Sequence, residues 1–237
     1  MNNGTPAIFN WSGGKDSMLA LHKVLEAEIY DVRYLLTTVN DLHNRVSMHG
    51  VRESLLIAQA ESIGIPLLQV RLPDSPDMES YEEAMRLQML RLKVEEITHS
   101  VFGDIFLEDL RAYREMKLSG LGFTAVFPLW KRHTREILKE FIGLGYKTIV
   151  VCAMENLGDF CGRVIDDDFI KDLPKDVDPC GENGEFHTFV YDGPLFKKQV
   201  ACRAGEKIFR TFPAPSGSSD STAGYWYLDL IGYPRHI

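Results

Sequence analysis

The sequence predicts an α/β fold, in which helices flank an open, mostly parallel sheet and a second, smaller α+β domain follows. The first observation is a chain of 237 residues with 45% hydrophobic and 25% charged side chains, which is typical of folded proteins with a sizeable core. The second is that short apolar runs alternate with longer helical patterns, the order expected of βαβ units. The third is a change to glycine-rich turns and alternating strands beyond Asp178, which is typical of antiparallel or mixed sheets.

The first half of the chain alternates strands and helices. Short apolar runs predict strands over 7–11, 32–39, 66–72 and 100–103. Apolar residues spaced three and four apart predict helices over 18–28, 53–63 and 78–98. Gly64 is expected to end the second helix, and the third is expected to bury Leu87, Leu90 and Val94.

The second half begins with one further unit. A strand, a helix and a strand are predicted over 125–129, 134–144 and 148–153. This unit places a boundary near residue 123, so that residues 1–122 form the first domain and residues 123–237 the second. Later strands are expected over 186–191, 207–212 and 225–230, and the segment 213–224, rich in Pro, Gly and Ser, predicts a mobile loop.

Composition disfavours several classes of function. Lys and Arg number 26 against 34 Asp and Glu, a net charge of -8, and no basic stripe is present, so nucleic acid is a poor candidate partner. The four cysteines form no CxxC pair, which removes support for zinc ribbons, iron-sulfur clusters and thioredoxin-type chemistry. No signal segment and no apolar stretch of about 20 residues is seen, so we expect a cytoplasmic protein with no membrane partner. The sequence does not determine the oligomeric state, and a homo-oligomer is compatible with it.

The strongest motif, SGGKDS, lies between the first predicted strand and the first predicted helix. It consists of Ser12, Gly13, Gly14, Lys15, Asp16 and Ser17. Glycines at such a turn let the backbone approach a ligand, and the N–H groups and partial positive charge of the helix N-terminus hold phosphate. Lys15 can place a charge on phosphate oxygens, and Asp16 is suited to helping hold Mg²⁺. The motif therefore predicts a nucleotide site.

The alternative is a plain Gly-Gly turn with a Ser or Asp helix cap, which leaves Lys15 and the flanking serines without a role. The spacings GxxxxGK[ST] and GxGxxG are both absent, so γ-phosphate transfer and dinucleotide binding lose their usual signatures. The loop resembles the SGGxDS signature of the PP-loop ATP pyrophosphatases, a superfamily similar to the adenine nucleotide alpha hydrolases with a HUP-like, Rossmann-like fold. The resemblance implies that ATP is cleaved between its α and β phosphates, with adenylation of a carbonyl or carboxyl oxygen.

Later segments narrow this resemblance to the diphthine ammonia ligase family over about residues 7–196. They are Gly103-Asp104-Ile105 with Arg111 and Glu115, Pro128-Leu129-Trp130, the run from Asp178 to Phe189 (DPCGENGEFHTF), and Asp192-Gly193-Pro194. The resemblance implies an ATP-dependent amidation of a carboxylate by ammonia that yields AMP and pyrophosphate. ATP, ammonia and an unidentified carboxylate acceptor, protein or small molecule, are then the expected partners. Gly103 joins the expected nucleotide-binding residues.

The chain departs from the pattern of members that make diphthamide. Those members carry a Ser, Tyr, Gln cluster and a Gly-Glu-Gly-Gly-Glu-Tyr-Glu-Thr segment, where this chain has Leu107, Asp109, Leu110, Asn183 and His187. In this it resembles bacterial relatives, so a different acceptor is expected, and amidation in corrinoid (cobalamin) salvage is one alternative. A tRNA-modifying PP-loop enzyme and a non-catalytic adenine nucleotide-binding protein are the others.

The segment 182–187 carries the expected ammonia chemistry. Glu182 and Glu185 lie three apart around Gly184, in a turn where side chains can converge on a small cation such as ammonium. Attack by ammonia requires loss of a proton, which a carboxylate of raised pKa or His187 could accept. The catalytic candidates are Lys15, Asp16, Glu182, Glu185 and His187. The alternative is that the glutamates are solvated and His187 lies in a strand with one hydrogen bond.

Other candidates have weaker support. Arg111 and Glu115 share a helix face, the usual spacing of a surface ion pair, although the family resemblance also favours them. His49 follows the second strand and could touch adenine or ribose, but a lone histidine is more often structural. Packing is favoured for Cys180 over a nucleophilic role, because no second thiol lies at suitable spacing. Trp130 and Phe186 are expected in the core or the pocket wall.

Overall fold

The structure is a computed structural model that describes residues 4–46, 50–74, 76–213 and 222–233. Its elements follow in the order β1 (Thr5–Asn10), α1 (Lys15–Ala27), β2 (Tyr30–Asn40), β3 (Arg45–Val46), α2 (Glu53–Ile63), β4 (Leu67–Leu72), α3 (Met78–Val94), β5 (His99–Val101), α4 (Glu108–Ser119), β6 (Thr124–Val126), α5 (Thr134–Gly143), β7 (Lys147–Met154), α6 (Asp167–Asp172), β8 (Phe186–Asp192), β9 (Cys202–Pro213) and β10 (Thr222–Gly232). A 3-10 helix over Glu155–Phe160 follows β7.

Two sheets organise these elements. In the first, which we call the parallel sheet, β1 pairs in parallel with β2 and β5, β2 with β4, and β5 with β6, while the short β3 runs antiparallel to β2. In the second, the antiparallel sheet, the order is β8-β7-β10-β9. The predicted fold class, an open and mostly parallel sheet followed by a smaller α+β region, is therefore confirmed.

Each face of the parallel sheet contributes side chains to its own hydrophobic cluster. Phe9 and Leu35 belong to the larger cluster, and their neighbours Ile8 and Leu36 to the smaller, as the alternation of side chains along a strand requires. The larger cluster also contains Phe189 of β8, so the antiparallel sheet packs against the face that α1 and α2 cover. This packing brings β8 beside the start of α1.

Element positions follow the sequence closely in the first half. Helix α2 has the predicted bounds and ends at Gly64, whose φ of 90° is left-handed. Helix α1 begins at Lys15, three residues before the predicted start, so the motif itself forms the first turn of the helix.

The predicted buried face of α3 is wrong. Leu87, Leu90 and Val94 are 47%, 37% and 85% exposed, whereas Met89 and Leu92 are buried against the smaller cluster. Apolar residues occupy more than one face of this helix, so spacing alone allowed two orientations and the packing of α3 beside β4 selected the other one.

The predicted unit over 125–153 does not form in a single sheet. Strand β6 pairs with β5 in the parallel sheet, and β7 lies in the antiparallel sheet. The division into residues 1–122 and 123–237 stays a prediction, with β6 joined to the first sheet. Of the loop predicted over 213–224, residues 214–221 lie outside the described part of the chain, and Thr222–Gly224 belong to β10.

Candidate functional site

The strand order creates a crevice at the carboxyl end of β1. From β1 the chain first builds β2 and β4 on one side, and then β5 and β6 on the other, so the order reverses at β1. Ligands of open α/β sheets bind at such reversal points, beyond the carboxyl ends of the strands. The SGGKDS loop follows β1 and the segment Phe102-Gly103-Asp104 follows β5, so both lie at this crevice.

Gly103 brings the two loops together. A Cβ atom at this position would lie 2.9 Å from the main-chain nitrogen of Ser17 and 3.0 Å from the carbonyl carbon of Asp16. Real Cβ contacts are not that short, so glycine is what allows the β5 loop to touch the first turn of α1. Gly103 also lines the cavity described below.

The SGGKDS loop holds its own shape through its serines. The hydroxyl of Ser12 accepts a hydrogen bond of 3.2 Å from Gly14 N and lies 3.0 Å from the hydroxyl of Ser17, which donates to Gly14 O over 2.9 Å. Gly13 has a φ of 78°, a left-handed conformation that favours glycine. Gly14 is the N-cap of α1, and no side chain of the motif itself accepts a hydrogen bond from the first N–H groups of the helix. The Ser or Asp cap of the plain alternative is therefore not formed.

Lys15 places a buried positive charge at the start of α1. The residue is 3% exposed, and its Nζ donates to Asp16 Oδ2 over 2.8 Å and to the carbonyl of Cys180. Nζ also lies 5.1 Å from the ring centre of Phe186. Burial is the largest influence and acts to lower the pKa of Lys15, but the charge of Asp16, its hydrogen bond to Nζ and the nearby Cys180 and Glu182 together outweigh it, so the pKa is raised. The ammonium group therefore stays charged.

Asp16 retains one carboxylate oxygen for a ligand. Its Oδ2 accepts from Lys15, whereas Oδ1 is buried and has no hydrogen-bond partner. A buried carboxylate oxygen without a partner is costly unless a ligand satisfies it. Among the described residues, no group of three or more His, Cys, Asp or Glu side chains is arranged to hold a metal ion alone. This fits Mg²⁺, which usually takes one or two carboxylates and completes its shell with phosphate oxygens and water.

Strand β8 fixes the loop from the other sheet. The hydroxyl of Thr188 accepts from Lys15 N over 3.0 Å, and Val190 N donates to Gly13 O over 3.0 Å. Gln59 of α2 completes the support, since its Nε2 donates to Gly13 O over 3.0 Å and to Val190 O. Sequence reasoning missed Gln59 and Val190, which belong to no motif, and gave Thr188 no role although it lies in the DPCGENGEFHTF segment. Only the packing of the two sheets brings the three residues together.

The turn over 178–185 is built on two carboxylates. Asp178 Oδ2 accepts from Cys180 N over 3.0 Å and Glu182 N over 3.1 Å, and Glu185 Oε1 accepts from Asp178 N and Asn183 Nδ2, each over 3.0 Å. Glu185 is 8% exposed and is not among the residues that line the cavity. The structure therefore does not bring Glu185 to the position expected of a catalytic carboxylate, but places it beneath the turn.

Glu182 and His187 do face the cavity. Glu182 Oε1 accepts a hydrogen bond of 2.7 Å from Ile105 N, and burial, with the nearby charges of Asp16 and Asp104, raises its pKa to about 7. Loss of hydration, reinforced by the charge of Lys15, lowers the pKa of His187 to about 4, so its imidazole is neutral at physiological pH. One group that titrates near neutrality and one neutral base thus flank the buried Lys15.

These elements enclose a cavity of about 840 Å³, which we call the nucleotide cavity. Its lining includes uncharged residues of β2 and the antiparallel sheet, among them Thr37, Phe212, Tyr225 and Tyr227. It also includes Asp104, Leu107, Leu110, Arg114 and Glu182. Sequence reasoning missed the aromatic wall and Arg114, because neither belongs to a motif.

The weaker candidates lie mostly outside this cavity. Arg111 forms an ion pair of 2.7 Å with Glu115, and its guanidinium lies 4.6 Å from the ring centre of Trp130. None of the three residues lines the nucleotide cavity, whereas the buried Phe186 does. His49 lies outside the described residues.

Cys180 is buried, and its Sγ donates to Thr134 O over 3.3 Å. Burial, together with the charge of Asp16, raises the pKa of this thiol well above its ordinary value. Both observations favour the packing role over a thiolate nucleophile, since nucleophilic cysteines need a lowered pKa.

Comparison with known protein families covers both halves of the chain. A family model described as the diphthamide synthase N-terminal domain matches residues 6–122, and one described as the diphthamide synthase C-terminal domain matches residues 133–213. The chain belongs to the diphthamide synthase family. Both the SGGKDS loop and the β8 strand that supports it lie inside the matched segments.

Relatives of the same family are similar over most of their length. A diphthine–ammonia ligase of Rattus norvegicus is 26% identical over 208 residues, which cover 84% of this chain and 74% of the relative. The diphthine–ammonia ligase of Homo sapiens is 24% identical, with 84% and 73% covered, and that of Danio rerio is 25% identical, with 84% and 87% covered. Among solved structures, the U34-tRNA thiolase of Methanococcus maripaludis with its [4Fe-4S] cluster is 19% identical, with 61% and 58% covered and a TM-score of 0.37.

Within the described part of the chain, no helix combines the length and the hydropathy that crossing a membrane requires.

Proposed function

We propose that this protein is an ATP-dependent carbon–nitrogen ligase that converts a carboxylate into an amide with ammonia. The observation that carries the proposal is the buried ammonium of Lys15 at the start of α1, facing a cavity of about 840 Å³ that Glu182 also lines. Membership of the diphthamide synthase family and relatives named diphthine–ammonia ligase support the same reaction class.

ATP is held by the SGGKDS loop in this proposal. The N–H groups at the start of α1 other than that of Lys15, which Thr188 holds, bind phosphate oxygens, and Lys15 neutralises part of their charge. The hydroxyls of Ser12 and Ser17 join them by exchanging their bonds within the loop for bonds to phosphate. Asp16 would hold Mg²⁺ through its free oxygen, and the ion would shield the phosphate charges against one another. The adenosine is held by the uncharged residues that line the cavity, among them Thr37 and Tyr227.

The reaction then proceeds in two steps, adenylation of the carboxylate and displacement of AMP by ammonia. An oxygen of the acceptor carboxylate attacks the α-phosphorus of ATP, which forms an acyl adenylate and releases pyrophosphate. Ammonia next attacks the acyl carbon, and AMP leaves with the electrons of the broken carbon–oxygen bond. Charge develops on oxygens next to fixed donors, so positioning and electrostatics supply most of the catalysis.

Glu182 is the proton acceptor in this scheme. Ammonium must lose a proton before it can attack, and a base acts best when its pKa lies near the working pH. The pKa of Glu182, at about 7, meets this condition, and its carboxylate lies within the cavity. His187, with its pKa at about 4, is a weaker base that stays neutral and is the second candidate for this role. Glu185 acts through the turn that carries Glu182, and is a positioning residue.

The test is to incubate the protein with Mg²⁺, ATP, ammonium and candidate carboxylates, including corrinoid acids and elongation factor, and to separate the nucleotide products. We expect AMP and pyrophosphate, with release that depends on both ammonium and one acceptor. Lys15→Ala should abolish the release, whereas Lys23→Ala, which changes a partly exposed lysine of the same helix, should not.

Two results would contradict the proposal. Formation of ADP and orthophosphate would mean that the outer anhydride is broken. ATP binding without cleavage in every mixture would indicate a protein that senses the nucleotide without turning it over. The cytoplasmic location and a homo-oligomeric state stay predictions that fractionation and light scattering of the same preparation can test.

A further inference from the structure

A second cavity shares part of its lining with the nucleotide cavity. It has a volume of about 1120 Å³ and lies between α3 and α4, and we call it the α3–α4 groove. The residues that line both spaces are Asn10, Tyr81, Met85, Phe102, Leu110 and Arg114. A molecule seated in the groove therefore contacts residues that also line the cavity that contains Lys15.

The walls of the groove are mainly apolar. Met85, Met89, Met116 and Leu118 line it, and methionine side chains adapt to varied apolar ligands. Four charged residues of α3 and α4 at the groove form two ion pairs: Arg86 with Glu83 over 2.7 Å and Lys117 with Glu82 over 2.6 Å. Asp77 and Glu79 also line the groove at the start of α3, where Asp77 caps the helix by accepting from Ser80 N, and neither has an ion-pair partner among the described residues. The rest of the lining is mainly apolar surface.

Arg114 stands where the two spaces meet. Its Nε lies 2.8 Å from Asp104 Oδ2, but the two atoms are not aligned for a hydrogen bond, and both are buried without another partner. Its Nη2 donates to Asp104 Oδ1 over a long 3.3 Å, and the guanidinium lies 4.3 Å from the ring centre of Phe102. Arg114 is thus held in place while its hydrogen-bonding capacity is incompletely used.

We propose that Arg114 receives the carboxylate of the acceptor, and that the α3–α4 groove holds the acceptor's apolar body. The acceptor is then a small-molecule acid whose carboxylate is carried on an apolar stem. This inference rests on the proposed function, since it assigns the acceptor site of the same ligase.

Charge supports the assignment. Among the described residues that line the nucleotide cavity, Lys15 and Arg114 are the lysine and arginine side chains, and Lys15 is engaged on the phosphate side with Asp16 and the Cys180 carbonyl. The acidic residues Asp16, Asp104 and Glu182 line the same cavity and would repel an anionic acceptor. An arginine at the entrance offsets this repulsion, and its planar fork matches a carboxylate in a bidentate arrangement.

Shape favours a small molecule over a protein surface. Pockets for small ligands are concave, mainly apolar, and have volumes of about 300–1,000 Å³ with a few fixed polar groups. The groove has a mainly apolar lining and a volume of about 1120 Å³, slightly above this range, and Arg114 is among its polar groups.

The probe for this site is octanoate, compared with octanol, which has the same stem without a charge. Binding is measured by calorimetry on the full chain with Mg²⁺ and α,β-methylene ATP, an analogue that cannot be cleaved between those phosphates. Arg114→Met should raise the Kd of octanoate by about tenfold or more, the scale of a charge-assisted bidentate contact, and leave octanol unchanged. Asp104→Asn should lower the Kd of octanoate, because it frees Arg114 and removes a repelling charge.

Arg111→Met is the matched control, because it changes an arginine of the same helix that lines neither cavity. General damage to α4 would weaken octanoate binding in all three variants, so opposite shifts for Arg114→Met and Asp104→Asn separate recognition from misfolding. The inference is overturned if octanoate fails to bind the parent protein at millimolar concentration, or if Arg114→Met binds it normally. Neither readout needs turnover, so a failure to form AMP would count against the ligase proposal alone.

Discussion

The main-chain N–H of Lys15 donates a hydrogen bond of 3.0 Å to the side-chain hydroxyl of Thr188, a residue 173 positions further along the chain. Thr188 is 2% exposed and lies in β8, so the antiparallel sheet fixes the first residue of α1 directly. With the bond from Val190 N to Gly13 O, two residues of one strand hold the loop from the side opposite the β5 loop.

Replacing Thr188 with Val should loosen this loop. The shape of the side chain is kept, but Lys15 N loses its acceptor in a buried site, which costs about 1–3 kcal/mol of unfolding free energy. ATP should bind more weakly, as calorimetry would show. The matched control is Thr148→Val, because the hydroxyl of Thr148 is buried without a hydrogen-bond partner and its removal should be neutral or stabilising. Equal stability losses in the two variants would contradict a specific role for Thr188.

Gly13→Ala should damage the loop through its backbone. Gly13 has a φ of 78°, and a Cβ there would lie 2.7 Å from Gln59 Oε1 and 3.0 Å from Leu56 Cδ1. We expect a loss of about 1–3 kcal/mol in unfolding free energy, measured by denaturant titration, together with weaker ATP binding. Gly143→Ala is the control, because a Cβ at Gly143 meets nothing within 4 Å, and helix propensity predicts a small gain. A Gly13→Ala protein as stable as the parent would show that the loop can rearrange.

The rate of amide formation should rise with pH on the acid side, with a midpoint near the Glu182 pKa of about 7. The sign follows from the role of Glu182, because only its deprotonated form can take a proton from ammonium. Glu182→Gln should remove this limb and lower the rate by about 10²–10⁴-fold, the usual contribution of a general base. Stopped assays across pH 5–9 would measure both. An acid limb centred near 4 would instead assign the proton transfer to His187, whose pKa is about 4.

Two variants of Glu185 can show whether this residue positions the turn or takes part in catalysis. Its Oε1 holds Asp178 N and Asn183 Nδ2, while Oε2 is buried without a hydrogen-bond partner. Glutamine can keep both bonds through its own oxygen, so Glu185→Gln should retain ATP binding, the amidation rate and the pH midpoint. Glu185→Leu cannot keep them and should shift the pH midpoint by disturbing the turn that carries Glu182. A Glu185→Gln protein that binds ATP normally but amidates slowly would restore the catalytic role expected from the sequence.

The sequence predicted the parallel sheet and the loop after β1 because their signals are local. Apolar runs, helix spacing and two adjacent glycines all act within a few residues of the chain. The buried face of α3 could not be chosen in this way, since Leu87 and Leu90 fit helical spacing as well as Met89 and Leu92 do. That choice depends on what packs beside the helix, and therefore on tertiary structure.

The remaining site residues could not be predicted from the sequence because their roles depend on contacts between distant parts of the chain. Gln59 and Arg114 belong to no motif, and Thr188 lies in the DPCGENGEFHTF segment without a signal of what it contacts. Each gains its role from a partner more than a helical turn away or in another element. Glu185 shows a different limit. Its spacing from Glu182 correctly placed both glutamates in one turn, but it could not predict which of the two side chains faces the cavity. The turn over 178–185 points Glu182 into the cavity and keeps Glu185 beneath it.

The hydrogen bonds from β8 to the SGGKDS loop also constrain how this family can vary. Because the phosphate loop is supplied by one matched segment and its anchor by the other, hybrids that join the first segment of one relative to the second of another must preserve this contact pair. The two segments therefore act as a single functional unit in this chain, and a fragment ending at residue 122 would carry the whole SGGKDS motif yet lack the strand that shapes it.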